Sequence, residues 1–402
     1  MGHHFCCVGK LKLQLKDNIF KFANQLNRIN LEKKVMCRTL HILLAVMLLW
    51  PVCAGAQNNS LSQRSKSRIE AIKGSHNDKV EKLKAEHEAF RKDVMARWGE
   101  KEMVESTKKV WVEYSNDRNA RFRVDFEKGE VIVEILSDKN ESRKSIAGKI
   151  ANTVDSLLNS RGKSIDFKSE VVEQKPVTEK PIMEKQINVS KEEISRKSSS
   201  YVQKEVATAS GQKNVNSVTL QLTANHLPER AAKFSPLIKQ YSQRFDIDEP
   251  LIYAIMEQES AFNPMARSRV AYGLMQLVPS SGGKDAYLYV HKKNTEPTPE
   301  FLYDPDNNIR LGTAYIKILM TREFPAIKDR TNRMLCSIAA YNTGSGNVAR
   351  AFTGNYSVSN AAIKINNMTN EELYNHLKYY LHHPEARDYI QKVTSKMKKY
   401  VK

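Results

Sequence analysis

The sequence predicts an α+β protein, with a mostly α-helical C-terminal domain preceded by a smaller α+β domain. Three observations carry this. From Leu227 onward apolar residues recur at helical spacing, as in Phe234, Leu237, Ile238 and Tyr241. Over residues 111–136 the period falls to two. Phe122, Val124 and Phe126 alternate, Lys128-Gly129-Glu130 offers a turn, and Val131, Val133 and Ile135 alternate again, which is the pattern of a β-hairpin. Residues 145–158 then return to helical spacing.

At 402 residues the chain has room for two or three domains. Residues 1–56 read as a leader. Lys33, Lys34 and Arg38 precede an apolar run from Leu40 to Trp50, and Ala54-Gly55-Ala56 fits a small-residue cleavage site. The run is too short for a confident membrane span, and Met36 is the expected true start. Lipidation of Cys53 is the alternative to cleavage after Ala56. The bulky Val52 just before Cys53 favours cleavage. Either route directs the chain to the cell envelope, with membrane association through the leader or a lipid on Cys53.

Residues 57–168 form the expected smaller domain, opening with charged helix bearing Val80, Leu83, Phe90, Val94 and Trp98. Residues 169–216, rich in Lys, Glu, Ser and Gln and broken by Pro176 and Pro181, read as a polar linker. A short helical piece near residues 191–196 is allowed within it. Val218, Leu220 and Leu222 alternate as a strand returning to the smaller domain, although the helical domain is bounded at 217–402.

Of five cysteines, Cys6, Cys7, Cys37 and Cys53 lie in the leader and only Cys336 remains, so no disulfide framework is expected. The formal charge is +19, and removing residues 1–56 takes away eight Lys/Arg and two Asp/Glu to leave +13. Such a balance suits an anionic polymer or membrane surface. Nucleic acid is not expected as a partner, because the basic residues are interleaved with acids and no nucleic-acid motif appears. Neither a Gly-rich phosphate loop nor a Cys/His metal cluster is present, so no metal or organic cofactor is expected.

The most informative residue is Glu259. Asp248 or Glu249 can cap its helix and Pro250 is tolerated in the first turn. Ile252, Ile255, Met256 and Glu259 then follow the i, i+3, i+4, i+7 pattern. Glu259 therefore sits on the apolar stripe, whereas Glu257 is expected to face water. Partial desolvation and the helix C-terminus both favour the protonated carboxyl, the form a general acid for sugar cleavage needs. Lysozyme is the known example of such an acid. An inert glutamate solvated at a helix end would look the same in isolation.

Further motifs follow in order. Glu259-Ser260, Gly273-Leu274-Met275-Gln276 and Ala340-Tyr341-Asn342-Thr343-Gly344, with Tyr389 in EARDYIQKV, resemble the successive motifs of the family 1 lytic transglycosylases. The stretch DPDNNIRLGTAYI resembles that family's helix before the third motif. SSGGKDAYLYV after the second motif, and YSNDRNARFRVDFEKGEVIVEIL upstream, resemble one membrane-bound branch of the family.

The resemblance implies a lysozyme-like catalytic domain acting on the glycan strands of peptidoglycan. Glu259 would protonate the oxygen between N-acetylmuramic acid and N-acetylglucosamine, then take the proton of the muramoyl C6 hydroxyl, leaving a 1,6-anhydro end. Ser260 and Tyr389 would orient Glu259, and Asn342 would support the charged anomeric centre. Tyr341 would shape the sugar site. Met275 and Gln276 would line an N-acetyl-sugar subsite beyond the tight turn at Gly273. No second acid stands beside these motifs, in keeping with substrate-assisted cleavage. The alternatives are a lysozyme-type hydrolase and a non-catalytic murein-binding module.

Overall fold

The computed structural model describes residue 78 and residues 81–165, 169, 170 and 173–401. The leader over 1–56, the start at Met36 and the choice between Cys53 and Ala56 lie outside the described residues, as does Val80. Residues from Leu83 onward belong to one unit.

Five antiparallel strands build the sheet: β1 (Val110–Tyr114), β2 (Ala120–Asp125), β3 (Glu130–Ser137), β4 (Val202–Thr208) and β5 (Gly211–Gln221), in the order β1-β2-β3-β5-β4. The hairpin read from the alternating residues is β2–β3, with Phe122 opposite Val133 and Val124 opposite Val131. Alternation sends side chains to two faces. One face carries Trp111, Phe122, Val124, Val131, Val133, Ile135, Val218 and Leu220, covered by Ile146, Ile150, Val154 and Leu157. The other carries Val112, Tyr114, Leu136 and Val215, covered by Phe90, Val94 and Trp98.

The covering helices are α1 (81–98) on the second face and α2 (Arg143–Asn159) on the first. Arg121, only 1% exposed, is a charged residue inside this core. Its Nε donates to Glu134 Oε2 at 2.7 Å and its guanidinium lies 4.1 Å over the Trp98 ring, so the buried charge is paired and stacked.

The expected linker over 169–216 is corrected by the structure. Residues 191–199 form α3 (Lys191–Ser199), and the stretch after it forms β4 and most of β5. The expected boundary at 217 also falls inside β5. The misreading has a physical cause. β4 is an edge strand with only Val206 buried, and its remaining polar residues face solvent, as the outer strand of a sheet requires. Lys and Glu there mark an edge rather than a disordered segment.

The helical domain follows as α4 (His226–Lys233), α5 (Ser235–Phe245), α6 (Glu249–Ser260), α7 (Gly282–His291), α8 (Pro299–Tyr303) and α9 (Pro305–Ile318). A π-helical turn over Leu319–Glu323 leads on to α10 (Arg330–Thr343), α11 (Ser345–Thr353), α12 (Val358–Ile365), α13 (Asn370–Tyr380) and α14 (Pro384–Met397). One core joins them, and α6 packs in its centre against α14. Cys336 is buried in this core.

Arg230 of α4 ties the two parts together. Its Nε donates to Ala261 O at 3.1 Å, one amino group to Phe126 O at 2.8 Å and the other to Gln186 Oε1 at 3.0 Å. Among the described residues no helix is long and apolar enough to cross a membrane.

Candidate active site

Helix α6 places two acids in different surroundings. Glu257 does not face water, contrary to expectation: it is 3% exposed. Lys396 and Lys399 each bond its Oε1 at 2.9 Å and Tyr400 bonds its Oε2 at 2.7 Å. Burial alone would raise its pKa, but these three donors hold it below the ordinary value. Chain-terminal residues beyond α14 fold back onto α6, a long-range contact that helical spacing cannot reveal. Glu257 therefore clamps the end of the chain.

Glu259 is 5% exposed. Burial raises its pKa, opposed by the Lys108 ammonium and by Tyr389, with a smaller upward push from the negative charge of Glu385. The two glutamates of one helix are thus driven apart in acidity, the arrangement that separates a structural carboxylate from a proton-carrying one. The Tyr389 hydroxyl faces Glu259 and is buried without completing a hydrogen bond among the described residues. Burial and the nearby Glu259 charge also push the pKa of Tyr341 up. Glu259, Tyr341 and Tyr389 come together from α6, α10 and α14.

The backbone after Glu259 is unusual. Ala261 and Phe262 have φ of 50° and 59°, two consecutive residues with side chains in the left-handed region. Each costs about 1–2 kcal/mol there. The turn is held by Asn263, whose Oδ1 accepts from Met265 N at 2.9 Å.

Ser260 was expected to orient Glu259. Its hydroxyl instead donates to Met256 O at 3.0 Å and Leu274 O at 2.7 Å. One residue further round the helix turns the side chain away from Glu259, so Ser260 fastens α6 to the Gly273–Gln276 turn. In that turn Gly273 has φ 76°. A Cβ there would lie 2.2 Å from Asn308 Nδ2 and 2.3 Å from Leu302 O, so a tight, side-chain-free turn is required.

Met275 was expected to line a sugar subsite, but its side chain is fully buried and packs where Gly312 leaves room for its sulfur. Its contribution is through the backbone, since Tyr341 Oη donates to Met275 O at 2.8 Å. Gln276 donates its amide to Gly273 O at 3.0 Å and leaves a buried Oε1 with no partner among the described residues. That free acceptor suits an amide N–H. Asn342 is half-buried at the end of α10, and no hydrogen bond engages its amide among the described residues.

Four residues at or beside the site were missed from sequence. Asn308 is wholly buried on α9 and bonds Met275 N at 2.8 Å, Leu302 O at 2.6 Å and Tyr272 O at 3.0 Å. Replacing it with alanine strands two buried backbone groups, Met275 N and Leu302 O, and leaves Tyr272 O with Leu277 N alone, so urea denaturation of Asn308→Ala is expected to show a loss of about 3 kcal/mol. Asn263 is wholly buried beneath the turn. Glu385 precedes Tyr389 by four residues, a spacing that places both on one face of α14. Lys108, from the strand-rich part of the chain, has its Nζ 3.3 Å from Glu259 Oε2. No local pattern points to it.

Residues 76–233 match the model of the membrane-bound lytic murein transglycosylase C N-terminal domain, and residues 236–364 match the transglycosylase SLT domain. A membrane-bound lytic murein transglycosylase C from Haemophilus influenzae is 32% identical over 311 residues, covering 75% of this chain and 85% of that one. The chain belongs to the membrane-bound lytic murein transglycosylase C family.

Its relative of that name in Pectobacterium atrosepticum is 34% identical over 321 residues, 77% of this chain and 88% of the other. Among solved structures, the complex of the 70-kDa soluble lytic transglycosylase with bulgecin A aligns at 27% identity and TM-score 0.34, covering 44% of this chain and 25% of that one. That likeness is too slight to carry a fold argument. The SLT match ends before Tyr389, so the position of that tyrosine rests on the geometry alone. Family membership makes the chain a peptidoglycan lytic transglycosylase. Among the described residues no cluster of His, Cys, Asp or Glu could hold a metal ion.

Proposed function

We propose that the chain cleaves the β-1,4 bond between N-acetylmuramic acid and N-acetylglucosamine in peptidoglycan, with Glu259 as acid and then base and a 1,6-anhydro end as product. The observation that carries this reading is a buried carboxyl, raised in pKa, at the meeting point of the three motifs. Burial keeps the proton on Glu259 until the bridging oxygen takes it. The carboxylate left behind then removes the C6 hydroxyl proton as that oxygen closes on C1, so no water is consumed. Lys108 and Tyr389 favour this ionised form, which is needed only in the second half of the cycle.

Gln276 Oε1, buried and without a partner among the described residues, would accept the N–H of an acetamido group. Asn342, with its amide unengaged, would turn its oxygen to the cationic anomeric carbon. The relatives' name, membrane-bound, supports the cell envelope as the proposed site of action. Mass spectrometry of muropeptides released from purified sacculi tests the reading: anhydro ends are expected, and reducing ends would overturn it.

Hydrolysis is favoured by one observation, the approach of Glu385, since ordinary glycosidases work with two carboxylates. If Glu385 positioned water, Glu385→Gln would lose activity by about 100-fold or more. The lone-acid mechanism predicts a change of only a few-fold in the initial rate of sacculus digestion.

A further inference from the structure

Lys108 is held from behind and loose in front. Asn263, inside the strained turn that follows Glu259, donates its Nδ2 to Lys108 O at 3.4 Å. Arg267 N donates to Thr107 O at 3.3 Å, and the Arg267 guanidinium lies 3.8 Å from Glu105 Oε1. The segment before β1 is thereby stitched to the catalytic turn over several residues. The Lys108 side chain is nevertheless 42% exposed, and Glu259 is the partner of its ammonium among the described residues. A cation here opposes the protonated state that the first step needs. It makes chemical sense only if it leaves when substrate arrives.

We propose that Lys108 is the anion receptor of the site, a positioning residue whose ammonium rests on the Glu259 side chain while the site is empty and on a carboxylate of the murein peptide stem when a strand is bound. This rests on the murein-cleaving activity proposed above. Glu259 is too buried to move, whereas a lysine on its four-carbon stem can swing its ammonium by several ångströms. A stem carboxylate that captures the ammonium withdraws the charge that opposes burial, so Glu259 holds more firmly the proton it will donate. The smaller α+β domain, through Lys108, thus favours the protonated acid most when a peptide-bearing strand is in place, and naked sugar does so less well.

The sign of the pH effect follows. Cleavage needs protonated Glu259, so activity falls as pH rises through its pKa. The groups facing Glu259 are Lys108, Tyr389, Tyr341 and Glu385. Removing the Lys108 charge raises the pKa of Glu259 and moves the alkaline limb of the rate profile to higher pH. For the unaltered protein, stem-bearing strands should do the same relative to strands stripped of peptide by an amidase.

The experiment measures kcat/KM against pH on both kinds of strand for the full chain, Lys108→Met and Lys108→Arg. The unaltered protein is expected to prefer stem-bearing strands and to keep its alkaline limb at higher pH on them. Lys108→Met should bring the preference towards one and give one limb, at high pH, on both substrates. Lys108→Arg should restore the preference. The proposal is overturned if Lys108→Met keeps the unaltered preference and limb, or if both variants lose activity equally on the two substrates, the sign of a merely structural lysine. Inactivity of the unaltered protein on both strands would sink the murein-cleaving reading itself, a result distinguishable from either.

Discussion

Glu259→Gln is expected to abolish murein cleavage while leaving the protein folded and more stable at neutral pH. General acid and base catalysis by a positioned side chain contributes about 100- to 10,000-fold, and here one residue supplies both. The amide keeps the shape of the side chain but can neither give nor take the proton, so turbidity loss of sacculi should fall by at least the lower figure. The stability gain has a definite sign. Burial raises the Glu259 pKa above its unfolded value of 4.5. An acid raised in this way contributes full stability below the unfolded pKa, and loses it as pH rises through the folded pKa. Glutamine carries no such loss. Thermal melts of the variant should therefore lie at or above those of the unaltered protein at pH 7, with the difference closing below the ordinary glutamate pKa. A variant less stable at neutral pH would mean that the pair with Lys108 outweighs burial.

Gly273→Ala is expected to have the largest effect on the fold near the site. The glycine has φ 76°, where a side chain is strained, and the new Cβ would stand 2.3 Å from Leu302 O, a backbone atom with little room to move. Left-handed strain and overpacking together cost about 4 kcal/mol. Relief requires moving Asn308, whose Nδ2 would be only 2.2 Å from that Cβ and whose other bonds hold Met275 and Tyr272. Urea denaturation should show the loss, and the residual folded protein should cleave poorly. A variant of unaltered stability and activity would show that the turn is not held by this packing.

Sequence made the central features legible where the signal was local. The β2–β3 hairpin could be read because alternating apolar residues fix which face each side chain takes. Glu259 could be placed on the buried stripe of α6 because helical spacing fixes direction. Glu257 shows the limit of the same reasoning. Spacing correctly separates it from Glu259, but only the return of Lys396, Lys399 and Tyr400 buries it. Lys108 meets Glu259 across 151 residues of chain, and Asn308 meets Met275 across 33. Neither has any periodic signature. Glu385 was different: its four-residue separation from Tyr389 could have placed it beside the site had α14 been known to face Glu259. β4 was lost because an edge strand is polar for the same reasons a linker is.

The central claim is that the sugar closes on itself, with Glu259 moving one proton out and one proton in and water taking no part. Digestion of sacculi in oxygen-labelled water tests it directly. The products are expected to carry anhydro ends free of the label and lighter by one water than hydrolysis products. Labelled reducing ends would contradict the account.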